Sequence, residues 1–313
     1  MPVLSARVRP VTVAGLLRLR ATESADREAY LFLADGEVEG ERLTWGELDR
    51  RARAIASALR ASLRPGDRAL LLYPPGLDFV AAFFGCLYAG VVAVPAYPPR
   101  PNDRTLDRLR AVARDAEPSA ALTTASILAL ASRTPELAVA RWIATDTLEA
   151  LDTLDEDLPE DPEALAFLQY TSGSTSTPKG VMVTHGNLMH NEAAISEAFR
   201  QDESSVVVGW LPLYHDMGLI GNVLQPLHAG SRAVLMAPAA FLQRPRRWLE
   251  AISRHHATTS GGPSFAYELC VRRIPPEQRE GLDLRSWRLA FNGAEPVRAD
   301  TMERFAEAFA PCG

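Results

Sequence analysis

The 313-residue chain is long enough for one large domain or two moderate ones. Its composition, with 47% hydrophobic and 23% charged residues, is typical of ordinary globular proteins. The formal net charge of −6 argues against a nucleic-acid-binding protein, because such proteins usually carry a basic face.

The first half of the chain alternates apolar runs with segments of helical periodicity. Thr44 and Glu47 have the spacing of a capping box, which predicts the start of a helix that continues to about Leu59. The all-apolar runs predict strands buried on both faces, and their order predicts parallel strands joined by right-handed crossovers. Predicted strands cover 31–33, 69–73, 91–94, 120–123 and 142–144, and further helices cover 12–19, 78–89, 104–116 and 126–132.

An acidic stretch over 146–163 predicts a surface loop and the best boundary within the chain, although it could simply bring the next strand into place. The alternation then resumes, and the chain contains neither a repeat nor a low-complexity tract. Predicted strands cover 164–170, 205–211, 233–236, 258–260 and 287–291, with a short apolar segment at 181–183. Predicted helices cover 185–199, about 218–229, 245–255, a segment opened by Pro263, and 297–309. This alternation predicts the α/β fold class.

The segment 171–180, TSGSTSTPKG, lies between two apolar segments and predicts a loop that binds a polyphosphate. Small residues let the backbone approach a ligand, turned N–H groups form an anion nest, and hydroxyls donate to phosphate oxygens. Lys179 is the only lysine among the 33 basic residues, which favours a specific need for an ammonium group. The loop is not the G-x-x-x-x-G-K-[ST] signature. The alternative is a flexible linker rich in Ser, Thr and Gly.

The segment 214–218 follows a predicted strand, which is where open parallel sheets bind ligands. His215 could therefore face the carboxylate of an acyl substrate or gate a channel. The alternative is a structural histidine that bonds to a carbonyl at the end of a strand. A metal-dependent phosphohydrolase could also use His215 and Asp216, but no further ligand cluster supports it. The pairs His185/His190 and His255/His256 lack metal-ligand spacing.

Two more segments could contribute to a site. Gly293 and Ala294 would let a flat base lie against the backbone, although a turn with Glu295 as a helix N-terminal acid explains the same residues. Residues 261–265, GGPSF, could form the wall of an apolar tunnel or simply start a helix. Ser264 does not fit a nucleophile elbow, because G-x-S-x-G is absent.

The cysteines and the apolar runs bear on the cellular setting. Cys86, Cys270 and Cys312 are far apart and odd in number, which predicts neither a disulfide framework nor a metal cluster and favours a reducing, cytoplasmic setting. No signal peptide is evident, and no run reaches the ~18 to 20 apolar residues that span a bilayer. The longest apolar run, 79–95, is broken by glycines and predicts buried core.

The loop at 171–180, LPLYHDMGLIG at 211–221 and GAE at 293–295 occur in the order found in the adenylate-forming superfamily, which the chain resembles. Ser176 stands where that family usually has glycine. Three longer stretches resemble the fatty acyl-AMP ligase branch over nearly the whole chain. They are LLYPPGLDFV at 71–80, FFGCLYAG at 83–90 with VPAYPP at 94–99, and GPSFAYELC at 262–270.

The resemblance implies an α/β fold with two stacked, mostly parallel sheets and surrounding helices, the large N-terminal domain of the adenylate-forming fold. It implies that a fatty acid and ATP, with Mg²⁺ expected, give acyl-AMP and pyrophosphate. The acyl group would then pass to the phosphopantetheine thiol of an acyl carrier protein or a polyketide synthase module. Nucleic acid is not implied as a partner.

The resemblance also implies roles for single residues, and the catalytic ones would be His215 and Lys179. The ATP phosphates would be bound by Thr171, Ser172, Gly173, Ser174, Thr175 and Lys179. The adenine would lie beside Gly293, Ala294 and Glu295. The acyl pocket would contain His215, beside the carboxylate, with Met217, Gly218, Gly262, Pro263, Ser264 and Phe265. No residue is implied as a metal ligand.

The chain ends at Gly313, before other motifs that the family carries: a Tyr-Gly-x-Thr-Glu motif, a ribose-binding aspartate, a hinge and a small C-terminal domain with a catalytic lysine. We therefore expect an incomplete adenylation domain over 1–313, with subdomains of roughly 1–184 and 185–313, and little or no activity alone. The nearest alternative is a fatty acyl-CoA synthetase. An amino-acid adenylation domain is less favoured, because no pocket aspartate can be assigned. A non-catalytic acyl or nucleotide binder is the alternative from another class.

Overall fold

The computed structural model describes residues 10–98, 106–131, 139, 141–152, 158–171 and 178–313. The strands are β1 (Glu28–Leu33), β2 (Glu39–Thr44), β3 (Arg68–Leu72), β4 (Val92–Ala96), β5 (Ala120–Thr123), β6 (Trp142–Ala144), β7 (Leu165–Thr171), β8 (Lys179–Thr184), β9 (Val206–Gly209), β10 (Arg232–Met236), β11 (Thr259–Gly262) and β12 (Leu289–Asn292). The helices are α1 (Val13–Glu23), α2 (Trp45–Arg60), α3 (Leu77–Ala89), α4 (Leu106–Ala116), α5 (Ala125–Ala131), α6 (His185–Phe199), α7 (Asp216–Leu219), α8 (Gln225–Ala229), α9 (Pro238–Gln243), α10 (Arg246–His255), α11 (Ser264–Arg273) and α12 (Ala299–Phe309). A π-helical turn, Ile220–Leu224, joins α7 to α8.

Two six-stranded sheets organise these elements. Sheet I has the order β6-β5-β3-β4-β7-β8, and sheet II has the order β12-β11-β9-β10-β1-β2. Among the described strands, neighbours run parallel except in the antiparallel pairs β7–β8 and β1–β2. The predicted α/β fold with two mostly parallel sheets is therefore confirmed.

The largest core joins the two sheets through α3. This helix is apolar on every side, as a helix enclosed by other elements must be. The ring of Phe83 on α3 packs edge-on against Phe167 of β7, with their centres 5.7 Å apart. Tyr30 of β1 lies in the same core and is fully buried. The apolar run at 79–95 is thus buried core, as predicted.

A second core covers the other face of sheet II and consists largely of aromatic rings. Trp248 of α10 lies at its centre, fully buried, and donates from its indole nitrogen to the Ser260 hydroxyl at 2.7 Å. The rings around it are Phe241, Tyr267 and Trp287, each within 5.6 Å of Trp248 between ring centres. These edge-on contacts hold α10 and α11 against the sheet.

Capping boxes set the start of two helices. Thr44 and Glu47 bond reciprocally at the start of α2, as their spacing predicts, at 3.2 and 2.8 Å. Thr184 and Asn187 do the same at the start of α6, both at 3.1 Å. The second box was not predicted, because asparagine replaces the usual Glu or Gln at the third helical position. It fixes where the chain leaves β8 and enters α6.

The structure also differs from the sequence prediction in two elements. β2 was not predicted, because four of its six residues are exposed and its polar sequence lacks an apolar run. The short helix α9 was not predicted either. The subdomains 1–184 and 185–313 remain a prediction, but the sheets do not follow that division: β1 pairs with β10, so residues 28–44 lie in sheet II. None of the described helices is both long and apolar enough to cross a membrane.

Candidate active site

The hairpin β7–β8 presents the two ends of the predicted phosphate loop. Thr171 faces Lys179 across the antiparallel ladder, and both residues are exposed. Of the residues between them, 172–177 lie outside the described part of the chain, so the phosphate contacts predicted for Ser172, Gly173, Ser174 and Thr175 remain a prediction. The ladder holds both ends of the loop at one end of sheet I.

Tyr170 anchors the base of this hairpin. Its hydroxyl donates to Asp115 Oδ2 of α4 at 2.5 Å. Its ring packs against Gly180, where an added Cβ would lie only 2.9 Å from the ring. Desolvation, followed by the hydrogen bond to Asp115, raises the pKa of Tyr170, so the phenol stays protonated and remains a donor. The loop is therefore tied to α4.

A cavity of about 390 Å³ lies between the carboxyl ends of the two sheets. Ligands bind at this edge in open parallel sheets. Its walls are mainly apolar and aromatic. Residues from both sheets and the following loops contribute, among them Phe32, Phe79, Tyr97, Tyr170, Leu211 and Tyr214. Arg108 of α4 and His215 add the polar character, so the cavity is suited to an apolar molecule with a polar end.

His215 is an exposed residue of this cavity wall, at the start of α7. Its backbone N–H donates to the carbonyl of Pro212 at 3.1 Å, and its carbonyl accepts from Leu219 at 2.8 Å. Desolvation by the walls lowers the pKa of the imidazole, Asp216 opposes this, and Arg108 lowers it further. The imidazole is therefore neutral at pH 7 and can donate or accept one hydrogen bond at each nitrogen.

Gly218 makes the tight turn into α7 possible. A Cβ at this position would lie 2.1 Å from the carbonyl oxygen of Pro212, a distance that no side chain can tolerate. Glycine therefore allows His215 and the helix after it to lie directly against the end of β9.

A second group of predicted residues meets at the carboxyl ends of β11 and β12. Glu295 Oε1 accepts from the backbone N–H of Phe265 at 3.0 Å. Glu295 is therefore an acid at a helix N-terminus, as the alternative interpretation suggested, but the helix is α11 rather than the following α12. The Cε atom of Met217 lies 3.1 Å from where Gly293 would carry a Cβ. Residues predicted for the acyl pocket and the adenine site therefore touch each other.

The remaining residues of this group are held by close packing. Gly262 lies under the indole of Trp210, where an added Cβ would be 2.6 Å from the ring. Ser264, next to Pro263, is buried and exchanges hydrogen bonds with Asn292. Ala294 has a φ of +68°, a left-handed conformation that is uncommon for alanine and is often found at functional sites.

The structure divides the predicted acyl pocket. Of its described members, His215 lines the 390 Å³ cavity, whereas Met217, Gly218 and the segment 262–265 are not among its lining residues. Met217 contacts Gly293 instead, and the backbone N–H of Phe265 donates to Glu295. Sequence reasoning missed Arg108 and Tyr170 as residues of the cavity. A tyrosine at the end of a strand that precedes the loop could have indicated Tyr170. Nothing local indicates Arg108, because α4 reaches the cavity only through tertiary packing.

Comparison with known proteins places this site in context. The family model described as AMP-binding enzyme matches residues 17–312. The chain is 49% identical over 310 residues to the medium-chain-fatty-acid–acyl-carrier-protein ligase JamA of Moorena producens, covering 96% of this chain and 52% of that protein. The chain thus spans about half the length of the curated relatives it matches.

Solved structures agree with this comparison. The fatty acid AMP ligase from Legionella pneumophila superposes with a TM-score of 0.93 at 43% identity, over 99% of this chain and 54% of that one. The fatty acyl-adenylate ligase from L. pneumophila, solved with acyl adenylate and pyrophosphate, superposes with a TM-score of 0.90 at 43% identity, over 97% and 53%. Since the family model covers nearly the entire chain and the fold agrees, this protein belongs to the AMP-binding enzyme family.

Proposed function

We propose that this chain is part of a ligase that activates a fatty acid with ATP and passes the acyl group to an acyl carrier protein. The observation that carries the proposal is the aromatic and apolar cavity beside His215, at the carboxyl ends of both sheets. The 49% identity to a medium-chain-fatty-acid–acyl-carrier-protein ligase supports the same substrate class and acceptor.

In the proposed first step, a carboxylate oxygen of the fatty acid attacks the α-phosphorus of ATP. A new oxygen–phosphorus bond forms, and the bond from the α-phosphorus to the bridging oxygen breaks, so that pyrophosphate leaves with its electron pair. Such a reaction needs alignment and charge neutralisation more than covalent help from the protein. We assign the neutralisation to the Lys179 ammonium and the hydroxyls of the loop that β7 and β8 frame.

The other residues would orient the two substrates. Neutral His215 can donate a hydrogen bond to the carboxylate without forming an ion pair that would weaken its attack. Gly293 to Glu295 would border the adenine, with the left-handed Ala294 exposing backbone groups to the base. In the second step, the phosphopantetheine thiol of the carrier attacks the acyl carbonyl and loses its proton to solvent. A carbon–sulfur bond forms, the bond from the acyl carbon to the phosphate oxygen breaks, and AMP leaves with that electron pair.

The proposal also covers the metal ion that accompanies ATP and the cellular compartment of the protein. Mg²⁺ would accompany the triphosphate, since it usually binds through substrate phosphates and one or two carboxylates. The described residues contain no group of three or more His, Cys, Asp or Glu side chains that could hold a metal ion, so we assign no step to a protein-bound metal. A reducing cytoplasmic setting is supported by the three buried, free cysteines.

The test compares ligand classes on the purified 313-residue chain. Thermal unfolding is measured with a non-hydrolysable dodecanoyl adenylate and with a phenylalanyl one. We expect stabilisation by the lipid form alone. Ala239→Trp narrows the rim of the cavity at an exposed residue and should reduce that stabilisation, whereas Ala198→Trp, exposed on α6, should not. Equal stabilisation by both adenylates, or by neither in a folded chain, would contradict the proposal.

A further inference from the structure

Glu192 on α6 is a buried carboxyl group that is paired with no cation among the described residues. Its residue is 2% exposed, and no charged partner in the described part of the chain contributes to the pKa shift of its carboxyl group. Its Oε1 atom is buried and has no hydrogen-bond partner among the described residues. A charged carboxylate in such a place is costly, so the side chain needs a specific arrangement to be tolerated.

That arrangement is a contact with Gln225, the first residue of α8. We assign the Gln225 amide with its nitrogen towards Glu192, because the opposite orientation sets its oxygen against the backbone carbonyl of Glu192. The Gln225 oxygen then lies 2.9 Å from Gln201 Oε1, so the Gln201 amide must also be turned to donate there. The Gln225 nitrogen donates to Glu192 Oε2 at 2.5 Å and to the Glu192 carbonyl at 3.1 Å. The Gln225 oxygen accepts from the Ser196 hydroxyl at 2.7 Å, and that hydroxyl also lies 3.0 Å from His228 Nδ1.

Burial favours the neutral form of Glu192, and the titratable groups that face it from β1 and α8 are also uncharged. Burial raises the pKa of its carboxyl group to about 9. On β1, burial and then Glu192 raise the pKa of Tyr30, and on α8, burial and then Arg20 lower the pKa of His228. Arg20 of α1 donates to the carbonyls of Leu227 and His228 at 3.1 and 2.6 Å, so its charge is directed at the end of α8. Tyr30 and His228 are therefore both neutral at pH 7.

The two helices that Glu192 joins continue the two segments of the candidate site. α6 follows directly after β8, whose first residue is Lys179. α8 continues the helical run that starts after His215 and passes through the π-helical turn. The Tyr30 hydroxyl donates to the carbonyl of Val223 within that turn at 2.7 Å. π-helical turns often occur at functional sites. We therefore expect the geometry of this helical run to help set the position of His215.

We propose that Glu192 is a positioning residue whose carboxyl group ties α6 to α8 and thereby fixes the phosphate hairpin relative to His215. The inference rests on the proposed function, because it assigns the hairpin and His215 to one reaction. Glu192 itself is not among the residues that line the cavity, and it acts through the two helices.

The first arm of the test measures the affinity of a non-hydrolysable dodecanoyl adenylate for the 313-residue chain between pH 7 and 10. Glu192→Gln keeps the hydrogen bonds and cannot ionise, so it should bind like the wild type at pH 7. Glu192→Leu should bind more weakly by on the order of tenfold to a hundredfold, as expected for small misplacements. Glu197→Leu, on an exposed position of the same helix, is the matched control and should bind normally.

The pH dependence separates positioning from simple packing. If binding requires protonated Glu192, the wild type should bind about tenfold more weakly at pH 10 than Glu192→Gln, since the pKa is about 9. Every other group is the same in both proteins, so its contribution cancels from this comparison. Normal binding by folded Glu192→Leu, or identical pH profiles for wild type and Glu192→Gln, would overturn the proposal.

The second arm needs no ligand. Amide hydrogen exchange, corrected for intrinsic rates, should be faster in Glu192→Leu at both 179–184 and 216–224, and unchanged in Glu197→Leu. If the wild type fails to bind the adenylate, the proposed function is refuted for this chain, and the exchange data alone decide the positioning role. Unchanged hydrogen exchange in Glu192→Leu at these two segments would overturn the positioning role of Glu192.

Discussion

Replacing Glu192 with glutamine should stabilise the protein at neutral pH. The ordinary pKa of a glutamate is 4.5, and burial raises that of Glu192 to about 9 in the folded protein. Between these two values the folded chain binds one more proton than the unfolded chain. The free energy of unfolding therefore falls as the pH rises through this window, and it levels off above pH 9.

The size of the effect follows from the distance between the pH and the ordinary pKa. At pH 7 that distance is roughly 2.5 units, and one unit corresponds to about 1.4 kcal/mol, so Glu192 lowers the stability by about 3 kcal/mol. Glutamine cannot ionise and retains the acceptor for Gln225. Glu192→Gln should therefore match the wild type near pH 4.5 and exceed it by about 3 kcal/mol at pH 7.

Urea unfolding of both proteins at pH 5, 7 and 9 measures this difference, because the midpoint and slope give the free energy of unfolding. Glu197→Gln, a matched change at an exposed position of α6, should be neutral at every pH. A difference between wild type and Glu192→Gln that stays constant from pH 5 to pH 9 would refute the reasoning. It would mean that the carboxyl group reaches solvent in the folded protein.

Three further substitutions test other contacts of the site. Gly218→Ala places a methyl group against the Pro212 carbonyl, so urea unfolding should show a loss of about 2 kcal/mol or more. Lys179→Met should leave the unfolding temperature unchanged, because the side chain is exposed, while calorimetry should show ATP binding weakened by about tenfold or more, and unchanged binding would contradict the phosphate role. Tyr170→Phe removes the hydrogen bond to Asp115 and should cost about 0.5 to 1.5 kcal/mol in urea unfolding, the net value of one hydrogen bond, because water can solvate the exposed Asp115 carboxylate in its place.

The sequence predicts those features whose cause is local. The capping box at Thr44 depends on residues three positions apart, and the enclosed α3 follows from an unbroken apolar composition. The strand before the phosphate loop was predicted for the same reason. By contrast, the polar sequence of β2 becomes a strand only because it pairs with β1 at the edge of sheet II.

Features of the site that depend on distant parts of the chain were not predictable. Glu192 is buried because elements distant in the sequence, α8 among them, pack against α6, and nothing near it in the sequence distinguishes it from the exposed Glu197. Glu295 caps α11 because β11 and β12 end side by side, 30 residues apart in the chain. The cavity beside His215 likewise needs both sheets, so its walls could not be assembled from strand-end motifs alone.

The pairing of β1 with β10 has a consequence for how the protein is made. In the parallel register, Tyr30 of β1 pairs with Ala233 of β10. The hairpin formed by β1 and β2 therefore cannot join the rest of sheet II until β10, a much later part of the chain, has left the ribosome. During that interval the apolar strand β1 has an unpaired edge, which is a hazard for aggregation. Slow folding through such distant contacts is expected, and nascent chains that stop before β10 should be bound by chaperones or degraded.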